Sequence, residues 1–501
     1  MQTLADILTG FQTALGLWNL LYCLVGVLLG TAIGVLPGLG PTATISMLLP
    51  LTFGLPPETA LIMLAGIYYG AQYGGSTTAI LINLPGESSS VVTALDGYRM
   101  AQNGEAGKAL ATAAIASFVA GTVATVVIAF FSPPLSEFAL RFGPPEYFSL
   151  VVLGLVASVV LASGSLLHAF GMIVFGLLLG MIGSDVNSGA LRYTFGILHL
   201  ADGINFVILA MGIFGLGEIF HNLDEESDRR ISLAKIKSLL LSREDIKQVS
   251  APILRGTALG SLLGVLPGGG AMLASFASYA LEKKVSSRPE RFGHGAIEGV
   301  ASPEAANNAG AQTSFIPMLT LGIPSNPVMA LMIGAMIMQG IQPGPGILEH
   351  QPKLFWGLIA SMWVGNLMLL ILNLPLIGMW VRMTTIPYRV LFPCIVVFCV
   401  IGAYSINNSM YDIYLLALFG VVGYCLRSLG CEPAPLLLGF ILGPMLEENL
   451  RRSMLMFKGD PTIFITRPIS GALLLIGAVV MVSIVFPFLR KTREEVFKGD
   501  G

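Results

Sequence analysis

Long apolar runs divided by short polar breaks dominate the chain, and the runs have the length of membrane spans. Windows 109–131, 354–381, 390–411 and 468–489 contain no charged residue. About 20 apolar residues in a helix suffice to cross roughly 30 Å of hydrocarbon. The stretch 143–183 is long enough for two spans. The runs are continuous rather than alternating, so the pattern predicts helices and not a membrane β-barrel. Two apolar runs carry the same interruption 230 positions apart: Gly30-Thr-Ala-Ile-Gly34-Val-Leu-Pro-Gly38-Leu-Gly40 and Gly260-Ser-Leu-Leu-Gly264-Val-Leu-Pro-Gly268-Gly-Gly270. A helix breaker in lipid leaves backbone groups unpaired unless they face protein, water or ligand. Two such breaks in corresponding places are the mark of a repeat-built transporter.

The predicted fold is therefore all-α: a polytopic helical membrane protein of two inverted-topology repeats with broken or re-entrant helices. Residues 1–222 form the first repeat and 253–501 the second repeat with the C-terminal spans. Residues 223–252 form a surface linker helix on the cytoplasmic side. That linker is the most charged stretch, its Leu233, Ile236 and Leu240 follow helical spacing, and Ser242-Arg-Glu-Asp245 reads as a capping signal. Inversion follows from loop charge. Gly54-Leu-Pro-Pro-Glu58 after the first break lacks a base, whereas Glu282-Lys-Lys284, Arg288 and Arg291 follow the second. Farther along, the order reverses: 96–108 is basic and 340–346 is neutral. Basic loops stay inside, so equivalent loops fall on opposite sides.

Composition agrees with a membrane protein: 54% hydrophobic and 11% charged residues, with a mean hydropathy of +0.79, against roughly 25% charge in soluble domains. No basic patch suggests nucleic acid. The five cysteines lack metal spacing and read as small hydrophobes rather than a disulfide set. The five histidines are scattered, and no metal ligand set is assigned. The N-terminus reads as an uncleaved first span. No hydrolase elbow, phosphate loop or nucleophile constellation occurs, so neither a membrane enzyme nor an ATPase subunit is indicated, and no catalytic residue is assigned.

Each half carries a second polar break. The first runs from Gly70 through Gln72, Ser76, Thr77, Thr78 and Asn83 to Pro85-Gly-Glu87. The second runs from Glu304 through Asn307, Asn308, Gln312, Thr313 and Ser314 to Pro324-Ser-Asn326. Hydroxyls, amides and helix N-termini can bind a carboxylate without a buried Lys or Arg, and unwound carbonyls can hold a cation. The candidate substrate- or ion-binding residues are Gly38, Gly40, Ser76, Thr77, Thr78, Asn83, Gly268, Gly270, Asn307, Asn308, Thr313 and Ser314. The sequence predicts that the two clusters face each other across a shared cavity. Taken singly, each residue reads as helix packing, with hydroxyls bonding back to their own helix. As a duplicated set they read as a transport site. Glu304 has two readings: a carboxylate buried for function, or an acidic residue in a first helical turn after Ser302-Pro303.

These residues also carry a resemblance. Gly34-Val-Leu-Pro-Gly-Leu-Gly-Pro-Thr42, Tyr69-Gly-Ala-Gln-Tyr-Gly-Gly-Ser-Thr-Thr-Ala-Ile-Leu-Ile-Asn-Leu-Pro-Gly86, Asp96-Gly-Tyr, Arg255-Gly256 with Gly264-Val-Leu-Pro-Gly-Gly-Gly270, and Ser302-Pro-Glu-Ala-Ala-Asn-Asn-Ala309 resemble the large membrane (permease) subunit of bacterial tripartite tricarboxylate transporters. The resemblance covers about 20 to 345. It implies multi-pass insertion in the bacterial inner (plasma) membrane and secondary active transport of carboxylates such as citrate. It implies symport with a coupling cation, sodium or proton, and no other cofactor. It also implies two partners, a periplasmic solute-binding protein that captures substrate and a small membrane subunit. The competing reading is a passive channel for small anions or neutral solutes, which would need a continuous polar pore.

Overall fold

A computed structural model describes residues 2–36, 39–84, 86–162, 165–185, 188–224, 239–266, 270–383, 386 and 388–485. The described chain is helical throughout, apart from one two-residue pairing of Gly183–Ser184 with Leu191–Arg192. Six helical stretches among the described residues are long and apolar enough to cross a membrane: 17–34, 106–139, 206–223, 352–373, 390–407 and 410–428. The all-helical, multi-pass expectation holds. The predicted window 354–381 divides into Pro352–Asn373 and a short Ile377–Met383, and 143–183 divides into Pro144–Leu161 and Leu166–Gly180.

The chain folds as two compact units. The larger comprises Met1–Glu137 with Asn205–Ser428, the smaller Phe138–Ile204 with Leu429–Gly501. The larger is organised by two helix pairs whose backbones touch. In the first, Leu17–Gly34 lies against Pro57–Ile82, and a Cβ on Gly26, Gly30 or Gly34 would strike the carbonyl oxygen of Met63, Ile67 or Ala71. In the second, Arg243–Gly264 lies against Glu298–Thr313, and a Cβ on Gly256, Gly260 or Gly264 would strike the carbonyl oxygen of Ser302, Ala306 or Gly310. Glycine at every fourth position clears one face of each helix, which is how helices associate closely where lipid removes the hydrophobic incentive. Met63, Ile67 and Ala71 precede Ser302, Ala306 and Gly310 by one constant offset.

The same offset continues into the helix ends. Helix 57–82 stops at Asn83 in the left-handed conformation (φ 57°). The second arm, continued through Phe315–Leu321, stops at Gly322 (φ 71°). Asn and Gly are the residues that tolerate this cap. Four residues later, Glu87 and Asn326 are both extended at the start of the next helical segment. These segments are the turn Ser88–Ser90 with helix Val91–Gln102, and helix Pro327–Met338. The Pro-Gly breaks interrupt the other arms: helix 17–34 gives way to Pro41–Leu48, and helix 243–264 gives way to Gly270–Val285.

The halves of this unit interlock. Helix 270–285 packs on the 88–90 turn, and helix 41–48 packs on helix 327–338. Asp96 accepts from the backbone N–H groups of Gly293, Gly295 and Ala296 at 2.8–2.9 Å and from the Tyr279 hydroxyl at 2.9 Å. The basic 96–108 segment thereby meets the loop after helix 270–285. Lys108 Nζ lies 2.6 Å from Asp245 Oδ1, and Arg255 pairs with Glu282 at 2.6 Å. Among the neutral loops, Gln339 donates to the Thr52 carbonyl at 3.2 Å.

Most of the expected linker, 225–238, lies outside the described residues. Its end belongs to helix 243–264, where Ser242 and Asp245 form a capping box. The smaller unit pairs helix 166–180 with Ala434–Met456, again through glycines: Gly176 faces the Leu436 backbone and Gly439 faces Ile173. Asp185, Arg192, Glu447 and Arg451 form an ion-pair network within it. Cys23 and Cys399 are buried, Cys394 and Cys425 are exposed, and all five cysteines are free.

Two outcomes follow. Gly30→Val and Gly260→Val should each lower the thermal midpoint in detergent, by the equivalent of about 1–3 kcal/mol for an overpacked contact, whereas Gly378→Ala, which meets nothing within 4 Å, should not. The second concerns Asp245. Burial opposes its ionisation, but hydrogen bonds from Lys108 and Ser242 outweigh that and hold the carboxyl below its usual range. A depressed folded value stabilises above the unfolded pKa of about 3.9 and is lost as pH falls through the folded value. Asp245→Asn should therefore melt earlier than wild type at pH 7, and the gap should close as pH falls through the lowered folded value.

Candidate functional site

The polar residues of the two arms converge on one carboxylate. Glu304 lies on helix 298–313 and is 1% exposed. Ser76 Oγ donates to its Oε2 at 2.9 Å, Thr93 Oγ1 to its Oε1 at 2.6 Å, and Ser117 Oγ to its Oε2 at 3.3 Å. The three hydroxyls come from three different helices of the first half: 57–82, 91–102 and Ala106–Ala139. Asn308, one turn on, donates its amide to Ser117 Oγ at 2.7 Å and to the Glu304 carbonyl at 3.1 Å. A cavity of about 20 Å³, room for a single water, borders this cage and is lined in part by Tyr73, Ser76, Thr77, Ser117 and Glu304.

A second contact lies beside it. Asn307 Nδ2 donates to Glu87 Oε1 at 2.9 Å, which ties helix 298–313 to the tip that follows helix 57–82. The tip fits because it is glycine-lined: Gly86 approaches Gly75 and the Gly34 carbonyl, and Gly40 approaches the Gly86 carbonyl. The corresponding residues of the other arm also meet, for the Tyr68 hydroxyl lies beside the side chains of Gln72, Ser314 and Asn326. By the constant offset, Tyr68 stands where Asn307 stands, Asn326 where Glu87 stands, and Ala65 where Glu304 stands. Tyr69 and Phe315, counterparts of Asn308 and Ser76, meet with ring centroids 6.1 Å apart and planes tilted by 48°. One junction is thus acidic and the other neutral and aromatic.

The remaining sequence-predicted residues are placed as follows. Thr77 lines the cavity while bonding its own helix at Tyr73. Thr78, Thr313 and Ser314 bond back to the carbonyls of Gly75, Ala309 and Ala311. Asn83 is exposed and caps its helix. Gly40 and Gly270 sit where the interrupted arms restart, Gly270 against Gly264 and Gly310. Gly38 and Gly268 lie outside the described residues. Ser76 and Asn308 are brought together through Glu304 and Ser117. Thr93, Ser117 and Tyr68 were not singled out from sequence, and Gln72 and Glu87 were named in the polar break but not among the candidate site residues. Thr93 and Ser117 lie in other helices, 91–102 and 106–139, whereas Glu304 carried the signal of a lone carboxylate in an uncharged run.

Charge in this region is one-sided. No Lys or Arg occurs before Arg99, between Lys108 and Arg141, or between Arg291 and Lys353. Four buried polar atoms on helices 57–82 and 298–313 have no hydrogen-bond partner: Glu298 Oε2 at the start of the second helix and, nearer the junctions, the Tyr69 hydroxyl, Gln72 Oε1 and Asn307 Oδ1. Buried polar atoms are nearly always paired, so unmet capacity at an interrupted-helix junction is capacity for solute or water. No group of three or more His, Cys, Asp or Glu poised for a metal occurs among the described residues.

Interrupted glycine-seamed helices, several apolar spans and a polar junction free of bases define a multi-pass helical membrane transporter. The chain belongs to the tripartite tricarboxylate transporter TctA family, whose pattern matches residues 20–438. Over 497 residues, 99% of both chains, it is 62% identical to an uncharacterised 52.8 kDa protein in the TAR-I ttuC' 3' region of Agrobacterium vitis. Over 241 residues, 48% of this chain and all of the relative, it is 64% identical to an uncharacterised protein in the TAR-II ttuC' 3' region of the same organism. No solved structure matches it. Family members are transporter components rather than enzymes.

Proposed function

We propose that the protein is the translocating membrane subunit of a tripartite system in the bacterial inner membrane. It carries a tricarboxylate or dicarboxylate such as citrate by secondary active transport, driven by a sodium or proton gradient. A periplasmic solute-binding protein delivers the substrate, and a small membrane subunit accompanies it. Family membership supports the transport role and the partners. The single observation that carries the location of the site is the pair of helices 57–82 and 298–313, which hold buried polar atoms without partners and contain no basic residue. In this reading the substrate carboxylates are held by hydroxyls, amides and helix N-termini rather than by a fixed cation.

Two inverted repeats, the first before and the second after the charged linker, form part of the proposal. Support comes from the constant offset relating the glycine seams, left-handed caps and tips. Support also comes from the loop contacts: equivalent loops fall into different groups, one joining Thr52 to Gln339, the other joining 96–108 to the 293–296 loop. Alternating exposure of the shared junction would follow from movement of one half against the other.

Proteoliposomes containing the protein with the small subunit, given binding protein and labelled citrate, succinate or malate, test this. An imposed sodium or proton gradient should drive accumulation above the equilibrium level, and omission of the binding protein should abolish it. Equilibration without accumulation would identify a channel instead. Asn307→Ala and Asn308→Ala should raise the half-saturating concentration of substrate or coupling ion by roughly five- to a hundredfold, as expected for a loss of about 1–3 kcal/mol at a buried polar partner. Insertion, read by gel filtration of a fluorescent fusion, should be retained.

A further inference from the structure

Glu304 is not explained by packing. It is buried, no cationic side chain pairs with it among the described residues, and helices of the other half supply all three of its hydroxyl donors. A buried carboxylate without a basic partner needs hydrogen bonds when ionised and a proton or cation otherwise. Its surroundings suit the proton. The oxygens around it are hydroxyls that donate to it, and helix 298–313 runs through the position unbroken, so no unwound carbonyl is offered to a metal ion. The adjacent cavity admits one water, the minimum that a proton requires.

Ser76 supplies the moving part. Its Oγ lies 2.9 Å from Glu304 Oε2 and 3.3 Å from the Gln72 carbonyl oxygen, so its single proton has two acceptors. With Glu304 ionised, Ser76 donates to Oε2. With Glu304 protonated at Oε2, Ser76 turns its hydrogen to Gln72 and accepts from the carboxylic acid. The hydroxyl serves both states without side-chain displacement.

We propose that Glu304 carries the coupling proton, with Ser76 as the hydroxyl switch that reports its state to helix 57–82. The proposal rests on the transport reading above. In loading, a hydronium ion in the cavity loses a proton, leaving water, and an O–H bond forms at Oε2; in release that bond breaks and water takes the proton back. Hydrogen bonds to an ionised carboxylate are roughly twice as strong as neutral ones. Loading therefore weakens the three bonds that hold helix 298–313 to helices 57–82, 91–102 and 106–139. A proton taken up at this point loosens one half of the interlocked pair from the other, which is the linkage a proton-coupled carrier requires. The titratable groups on which the charge of Glu304 bears are Tyr73 and Glu87. On neighbouring helices Asp96, Lys108 and Glu282 are turned to the 293–296 loop, Asp245 and Arg255.

The test uses the complete assembly in proteoliposomes with labelled citrate, succinate and malate, membrane potential clamped, and infrared difference spectra of the same protein between acid and alkaline buffer. In wild type a pH gradient should raise accumulation by up to about tenfold per unit and per proton carried, and the spectra should contain a protonated-carboxyl band. Glu304→Gln, fixed in the neutral form, should retain measurable exchange of internal for external substrate, lose accumulation driven by the pH gradient, and lack the band. Ser76→Ala keeps the carboxyl, and should keep the band but shift the midpoint of its titration. If Glu304→Gln accumulates like wild type, or its band persists, Glu304 is not the proton carrier although the transport reading stands. Accumulation in wild type that follows sodium and ignores the pH gradient likewise overturns the proposal. If wild type moves none of the carboxylates while the band titrates at Glu304, the transport reading fails and the coupling role fails with it.

Discussion

The constraint on which this structure depends is that a helix broken within a membrane must still satisfy its backbone. Water is unavailable, and each unpaired N–H or C=O costs several kcal/mol. The chain meets the demand with proximity. Gly26, Gly30 and Gly34 bring one backbone onto another, and the seam continues to the point where the arm is interrupted. Because Gly34, Gly40, Gly75 and Gly86 all lack side chains, the interrupted arm and the tip that follows helix 57–82 meet at main-chain distance. Gly264, Gly270 and Gly310 do the same for the other pair. The glycine seam runs up to the break in each arm, so the broken end is enclosed by other main chain rather than by bulky side chains.

Much of this was legible because glycine spacing is a direct record of backbone approach. The duplicated Gly-Val-Leu-Pro-Gly run predicted interrupted arms, and helices do stop at Gly34 and Gly264. The capping signal at Ser242 was legible for a similar reason: three residues fix its geometry. Long-range partners were not legible. The role of Thr93 and Ser117 exists only because helices 91–102 and 106–139 lie against helix 298–313. Asn83 shows the converse. Its polarity suggested a ligand site, but its left-handed backbone gives a local reason for an asparagine. The hydroxyls of Thr78, Thr313 and Ser314 bond their own helices, an outcome that residue type alone could not separate from a solute contact.

The two junctions share a backbone plan and differ in charge. At matching positions one arm holds Glu304, Asn307 and Asn308, and the other Ala65, Tyr68 and Tyr69; the tips hold Glu87 and Asn326. A strictly symmetric pair of sites would treat a carboxylate and a cation alike. Here the acidic junction repels an anionic solute, while the Tyr68, Gln72, Ser314 and Asn326 cluster offers hydroxyl and amide donors without a negative charge. A constant offset relates the main chain at both junctions, and their side chains differ in charge.

That division has a mechanical consequence for a carrier. The acidic junction is also the one where the halves are tied most directly, through Glu304 to Ser76, Thr93 and Ser117, and through Asn307 to Glu87. Neutralising negative charge there changes the strength of bonds between the halves. At the neutral junction, the Tyr68 hydroxyl joins the arms through uncharged groups, so their strength is insensitive to protons and sensitive to whatever displaces them. A solute that replaces Ser314 or Asn326 at Tyr68 would act on the second tie as a proton acts on the first. In the proposed carrier, coupling would need no distant relay, because both ligands would act on ties between the same two interlocked halves.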